Sequence, residues 1–207
     1  ELNALVTLSD NSTLTNFSGR NLIEDAGTIS VANANTLSGS TTGTVTATLG
    51  TISLADSADI NETGHAYTIT LSDTSVDAGD LSTLDGKTTV DVNITNVTTL
   101  TGTLTEVEQF FTDKNNFSNN TNIATITLDT GAIADAAALK TFHDNMRTLK
   151  ATAVVNATNV TNISGSFTEL NALVTLSDNS TLTNFSGRNL IEDAGTISVA
   201  NANTLSG

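Results

Sequence analysis

Residues 1–39 and 169–207 are the same 39 residues, letter for letter, at an offset of 168. Duplicated segments diverge quickly, so an unbroken match points to recent duplication or to continuing homogenisation. Both are habits of tandem-repeat genes; a fused duplicate is the competing explanation. On the first reading, residues 1–168 are one full repeat unit and 169–207 begin the next, identical one. The cut points agree with a window on something longer. Ser166-Phe167-Thr168-Glu169 has the S/T-x-x-E spacing of a helix capping box, whereas Glu1 matches only its last position, without the cap residue. Gly207 matches Gly39, after which the first copy runs on through Ser40-Thr41-Thr42-Gly43 toward a strand.

A weaker period lies inside the long one. Thr51-Ile52, Thr99-Leu100 and Asn162-Ile163 each follow a Thr/Val/Ala-rich run, 48 and 63 residues apart. Continued into the next copy, the steps average about 56, so the unit reads as three diverged sub-repeats. Self-similarity at this scale is the signature of solenoids and arrays.

Two kinds of element alternate. Phe167, Leu170, Leu173 and Val174 share one helical face, and Leu104, Val107, Phe110 and Phe111 repeat it 63 residues earlier behind the capping box Thr103/Glu106. Leu2, Leu5 and Val6 continue the same helix in the first copy, and 9–18 read as polar turns. A short strand is expected near Leu22 and Ile23. Short helices are expected over Ile29–Leu37 with Gly39 as C-cap, over Val76–Leu84, and over Ile133–Phe142. Strands are expected where Thr, Asp or Asn alternate with apolar residues: Val45–Leu49, Tyr67–Leu71, Val90–Ile94, Ala124–Leu128 and Ala153–Ala157. One strand and one crossover helix fit in about 28 residues, half of a sub-repeat, a length that favours parallel pairing and right-handed connections. The expected fold is therefore an α/β repeat solenoid of parallel strands and short crossover helices. A Thr/Asn-rich β-solenoid is the alternative. Jelly-roll or immunoglobulin-like modules rank third, because their tight Gly/Pro turns are scarce here.

Composition narrows the function. Seven Lys and Arg against 22 Asp and Glu leave a net charge of −15. This excludes nucleic acid, whose phosphates need basic partners, and disfavours anionic membrane surfaces. Without cysteine there is no disulfide framework and no thiolate metal site. No apolar run approaches the roughly 18 residues of a membrane span, so membrane insertion is not expected. Acidic, Thr-rich repeats suit a salty external medium that screens like charges within about 10 Å.

Little chemistry is visible. His65 and His143 fall in different contexts and read as surface or cap residues. Glu106 and Glu169 are explained as caps, and no phosphate loop, nucleophile elbow or H-E-x-x-H motif occurs. The chain reads as a non-enzyme without a cofactor, calcium being the one candidate. Asp73, Asp77 and Asp80 cluster near Thr74 and Ser75, with Asp56 and Asp59 as a smaller group, and calcium takes hard oxygen donors from loops. Their spacing matches neither the EF-hand loop nor the G-G-x-G-x-D nonapeptide, and caps and turns are the simpler account. Asn-x-Ser/Thr triplets at Asn11, Asn16, Asn61, Asn93, Asn96, Asn116, Asn119, Asn156, Asn159 and Asn162 follow from composition, and would be glycosylated only in a host with the machinery. Thr-x-Thr runs at Thr46–Thr48, Thr68–Thr70 and Thr125–Thr127 resemble the hydroxyl ranks of ice-binding solenoids, although plain β-propensity accounts for them.

The succession of a T-L-S-D turn, V-D-A-G-D-L-S-T-L-D-G at 76–86, T-V-D-V-N-I-T-N-V at 89–97 and T-T-L-T-G-T-L-T-E-V at 98–107 resembles giant tandem-repeat cell-surface proteins of bacteria, those of marine cyanobacteria above all. The resemblance implies an extracellular or cell-surface protein with architectural or adhesive duties. The expected function is a structural segment of a fibre, sheath or surface layer whose partners are identical neighbouring repeats or copies of itself. The alternative is an adhesin spacer or ligand-binding arm, stiffened by calcium.

Overall fold

Alternating threonine and apolar residues build the strands, and the alternation reappears in what is buried. Val45, Ala47 and Leu49 are buried on one strand and Tyr67, Ile69 and Leu71 on the next, with threonines between them exposed or half-exposed. The computed structural model describes residues 2, 4, 6, 18–129, 133–149, 151–193, 195 and 198–206. Of the helix expected around Leu2, Leu5 and Val6, positions 2, 4 and 6 are helical. Leu5, Glu1 and the polar stretch 9–17, with Asn11 and Asn16, lie outside the described residues.

The elements run β1 Leu22–Thr28, α1 Val31–Gly39, β2 Val45–Ile52, α2 Leu54–Ser57, β3 Ala66–Leu71, β4 Ser75–Asp77 and α3 Ala78–Asp85. They continue with β5 Val92–Asn93, β6 Thr99–Gly102, α4 Leu104–Asp113, β7 Phe117–Ser118, β8 Thr125–Leu128, β9 Ile133–Asp135 and α5 Ala136–Leu149. The last are β10 Val154–Asn156, β11 Asn162–Gly165, α6 Phe167–Asp178, β12 Leu182–Thr183, β13 Asn189–Glu192 and α7 Val199–Ser206.

Two compact units emerge, one of Glu1–Thr74, Asp80–Val97 and Asp113–Asn120, the other of Ser75–Gly79, Thr98–Thr112 and Thr121–Gly207. In the first, the sheet order is β1-β2-β3-β5-β7 and every neighbouring pair is parallel. Helix α1 packs on β2. In the second unit one sheet runs β4-β6-β8-β10-β12 and another β9-β11-β13, again parallel throughout. Helices α5 and α6 pack on each other and on β11. Within each sheet, strand order follows chain order, and the connections are the crossovers that parallel pairing requires. The chain is thus an α/β fold of parallel sheets and crossover helices.

Register turns the alternation into columns. Val76, Leu100, Ile126, Val155 and Leu182 stand opposite one another across five strands, all buried. Beside them runs a polar column of Asp77, Thr101, Thr127, Asn156 and Thr183. Local capping sets the helix starts. Ser53 with Asp56 and Ser166 with Glu169 close full capping boxes at α2 and α6. At α4, Glu106 Oε2 accepts the Thr103 N–H at 2.8 Å and Thr103 Oγ1 accepts the Glu106 N–H at 3.3 Å.

Several local expectations are corrected. Val76–Leu84 and Ile133–Phe142 do not begin as helices: Ser75–Asp77 and Ile133–Asp135 are strands, and the helices start at Ala78 and Ala136. Asp77 Oδ1 accepts the Gly79 N–H at 2.9 Å and Asp135 Oδ1 the Ala138 N–H at 2.8 Å, so an aspartate at each strand end supplies the cap. Among the described residues two strands separate successive helices from α2 onward, three between α4 and α5, rather than one. Gly39 is the last residue of α1, and Ser40 is its C-cap. The Val90–Ile94 strand shrinks to Val92–Asn93; Val90 is exposed and its N–H bonds the Thr88 hydroxyl at 3.2 Å.

Candidate functional site

The calcium candidates already serve the backbone. Asp73 Oδ2 accepts the Leu54 N–H at 2.8 Å and so anchors the start of α2, and Asp77 caps α3 as described. Asp80 lies in the first turn of α3. Asp56 belongs to the capping box of Ser53. Asp77 has other carboxylates for neighbours. A Cβ at Gly79 would lie 2.9 Å from Glu106 Oε1 and 3.2 Å from Asp77 Oδ1. Burial, then Asp77 and Glu106, push the Asp129 carboxyl above its ordinary pKa, whereas the Thr103 N–H and hydroxyl hold Glu106 below its own. Among the described residues no group of three or more His, Asp or Glu is placed to hold a metal ion.

Both histidines are buried, against the expectation of surface or cap positions. His65 Nδ1 accepts the Val45 N–H at 3.1 Å, so the ring supplies the acceptor for the first amide of β2. His143 Nδ1 lies 3.1 Å from Asp144 Oδ1. Its Nε2 is buried without a hydrogen-bond partner among the described residues.

Asparagines read as composition-driven triplets turn out to connect one chain crossing to the next. Asn119 Nδ2 donates to Asn93 Oδ1, Asn184 Nδ2 to Asn156 Oδ1 and Asn189 Nδ2 to Asn162 Oδ1, each at 2.9 Å. Asn93 Oδ1 and Asn156 Oδ1 also accept the N–H of Thr95 and Thr158 at 3.0 Å, an Asx turn that employs both lone pairs of the carbonyl. Asn119 and Asn184 sit at φ of 60° and 55°, in the left-handed region that asparagine tolerates. Asn96 Nδ2 donates to Leu71 O at 2.8 Å and Asn116 Nδ2 to Asp85 Oδ2 at 2.9 Å. The nitrogen a glycan would need is thus engaged at Asn96, Asn116 and Asn119. The signal was present in the sequence: Asn93-Ile-Thr-Asn-Val recurs as Asn156-Ala-Thr-Asn-Val at the 63-residue offset. The threonine ranks are half-buried in the second unit, and the hydroxyls of Thr101 and Thr183 reach back to Val76 O and Val155 O at 3.4 Å.

The repeated segment occurs in two surroundings. In the first copy its strand is β1, at a sheet edge and paired with the strand that follows, β2. In the second copy it is β13, also at an edge but paired with the strand that precedes it, β11. Val6, Leu22, Ala34 and Leu37 are buried to between 0 and 4% exposure. The identical Val174, Leu190, Ala202 and Leu205 are half-exposed. Val31 is half-exposed, and its equivalent Val199 is 78% exposed. A depression of about 250 Å³ borders this face, lined by Val174, Phe185, Leu190 and Leu205 among others. What such an arrangement offers is a strand edge and half-exposed apolar side chains. No protein-family model, curated protein or solved structure matches the chain.

Proposed function

We propose that this chain is a segment of a structural repeat protein, an α/β solenoid that lengthens a fibre, sheath or surface layer outside the cell and carries no catalytic activity. Its partners are copies of its own repeat. One observation carries the reading: within every described sheet the strands follow one another in chain order and in parallel, an arrangement that supports growth by addition at an edge. The columns of buried apolar residues and the asparagine links fit such growth, because each new strand meets the same chemistry as the last. The net charge of −15 and the absence of cysteine suit an external medium. No helix among the described residues is long and apolar enough to cross a membrane.

The test is a length measurement. At about 28 residues per coil, a 168-residue period holds about six coils. With strands about 4.8 Å apart, each period adds about 30 Å. Chains of one, two and three periods, examined by small-angle scattering, should lengthen by that constant step at constant cross-section. A maximum dimension that grows as the cube root of mass would overturn the reading.

A further inference from the structure

The two copies of the 39-residue segment report the two sides of one strand. In a parallel strand, successive N–H groups face opposite edges. In the second copy the Asn189 N–H bonds Thr161 O at 3.0 Å and the Asp193 N–H bonds Gly165 O at 3.1 Å, so Leu190 N–H faces the other, open edge. In the first copy that same edge is covered. There the Leu22 N–H bonds Thr44 O at 2.9 Å, Leu22 stands opposite Val45 and Ile23 opposite Thr46. The asparagine before it also works both ways. Asn21 Oδ1 accepts the Thr44 N–H at 2.9 Å, and the identical Asn189 donates through Nδ2 to Asn162 Oδ1 at 2.9 Å. A single carboxamide makes both bonds at once without conflict.

We infer that the open edge of β13 and the adjoining face of α7 are a docking site for a second copy of Ser40–Asp73, the stretch that carries β2, α2 and β3. The inference rests on the repeat reading and adds to it a partner and a register. Leu190 stands opposite the incoming Val45 and Ile191 opposite the incoming Thr46. Leu190 N–H donates to the incoming Thr44 O, and Asn189 bridges Asn162 on one side and the incoming Thr44 on the other. The occupant is set by the first copy: Leu22, Ala34 and Leu37 are buried where β2 pairs with β1 and packs on α1, and their equivalents Leu190, Ala202 and Leu205 are half-exposed beside the open edge. The incoming chain must also pass close. A Cβ at Gly43 would lie 2.3 Å from Arg20 O, so only glycine fits there, and Thr41 Oγ1 donates to that same oxygen at 2.6 Å. The segment ends where Asp73 secures the Leu54 N–H.

The experiment compares the 207-residue chain with the same chain carrying a second Ser40–Asp73 after Gly207, using amide hydrogen exchange. Leu190 N–H should exchange about 100-fold more slowly in the longer chain, whereas Asn189 N–H, already bonded, should change little. An added segment bearing Val45→Asp should give no protection. An unchanged Leu190 rate, or equal protection by the Val45→Asp segment, would overturn the docking. A second measurement needs no extension: in the 207-residue chain Leu22→Ala should lower the unfolding midpoint more than Leu190→Ala. Equal shifts would also sink the proposal. If periods add constant length while Leu190 stays unprotected, the register fails and the rod stands. If Leu190 is protected but length does not grow, the rod fails and the docking stands.

Discussion

Replacing Thr88 by valine should unfold the first unit at distinctly lower denaturant, because one hydroxyl there does the work of a strand. β5 is short, and β3 meets it at a single register pair, Thr70 with Asn93. Further up the same edge, Tyr67 has no strand beside it. Thr88 Oγ1 accepts the Tyr67 N–H at 3.0 Å and donates to Tyr67 O at 2.8 Å. Tyr67 is fully buried and Thr88 nearly so. Valine keeps the shape and leaves both buried Tyr67 backbone groups unsatisfied, and the part-buried Val90 N–H loses its acceptor as well. At about 1–3 kcal/mol each, less the relief of not burying a hydroxyl, the expected loss is about 2–4 kcal/mol. With a urea slope of about 2 kcal/mol/M the midpoint falls by about 1–2 M. The chain has one tyrosine and no tryptophan, so tyrosine fluorescence reports on Tyr67 and its unit alone. Thr89→Val is the control, since its exposed hydroxyl donates to His65 O at 3.2 Å, and it should cost no more than about 0.5–1 kcal/mol. If the two variants unfold at the same urea concentration, the hydroxyl is not the missing strand.

Two further substitutions test the packing and the charge. Gly165→Ala brings a Cβ to 2.7 Å from Ala136 Cβ and should cost about 1–3 kcal/mol in thermal or urea unfolding, with much of the loss recovered by adding Ala136→Gly in a double-mutant cycle. Burial, then Asp77 and Glu106, raise the Asp129 pKa, so ionising it costs the folded chain stability as pH rises through that value, and the cost vanishes below the unfolded value. Asp129→Asn should therefore raise the melting temperature at neutral pH and give no advantage near pH 3, where both forms are uncharged, at about one unit below the ordinary aspartate value.

How much of this was legible in the sequence depends on length. Runs of five alternating residues announce themselves: Val45–Leu49, Tyr67–Leu71 and Ala153–Ala157 all contribute strands with the apolar set buried. Capping boxes are equally plain, because Thr103 with Glu106 and Ser166 with Glu169 name both partners of the bond. The strands of two to four residues before the helices are different. Ser75–Asp77 has one apolar residue, Val76, and Ile133–Asp135 opens on another apolar residue, Ile133, so a helical period absorbs both. What distinguishes them is the partner, Leu100 beside Val76 and Ile163 beside Ala134, and a partner about 24–29 residues away is invisible to a local pattern. The buried histidines escaped for the same reason, since His65 is polar in sequence and the partner it meets in the interior, the Val45 N–H, lies 20 residues away. The asparagine links were misread because Asn-x-Thr carries one meaning for a glycan and another for an Asx turn stacked on its neighbour.

The duplicated segment separates these two kinds of information within one chain. Its helix forms in both copies with the same local bonds. Ser30 Oγ accepts the Asn33 N–H at 3.2 Å and Ser198 Oγ the Asn201 N–H at 3.1 Å; Thr36 and Thr204 each donate to the carbonyl four residues back at 3.0 Å. Yet Leu37 is buried and Leu205 is not, and Val199 is largely exposed. The cap and backbone bonds thus recur whether the apolar face is buried, as in the first copy, or half-exposed, as in the second. The same helix stands in two degrees of burial, and the strand before it pairs along one edge in the first copy and along the other in the second.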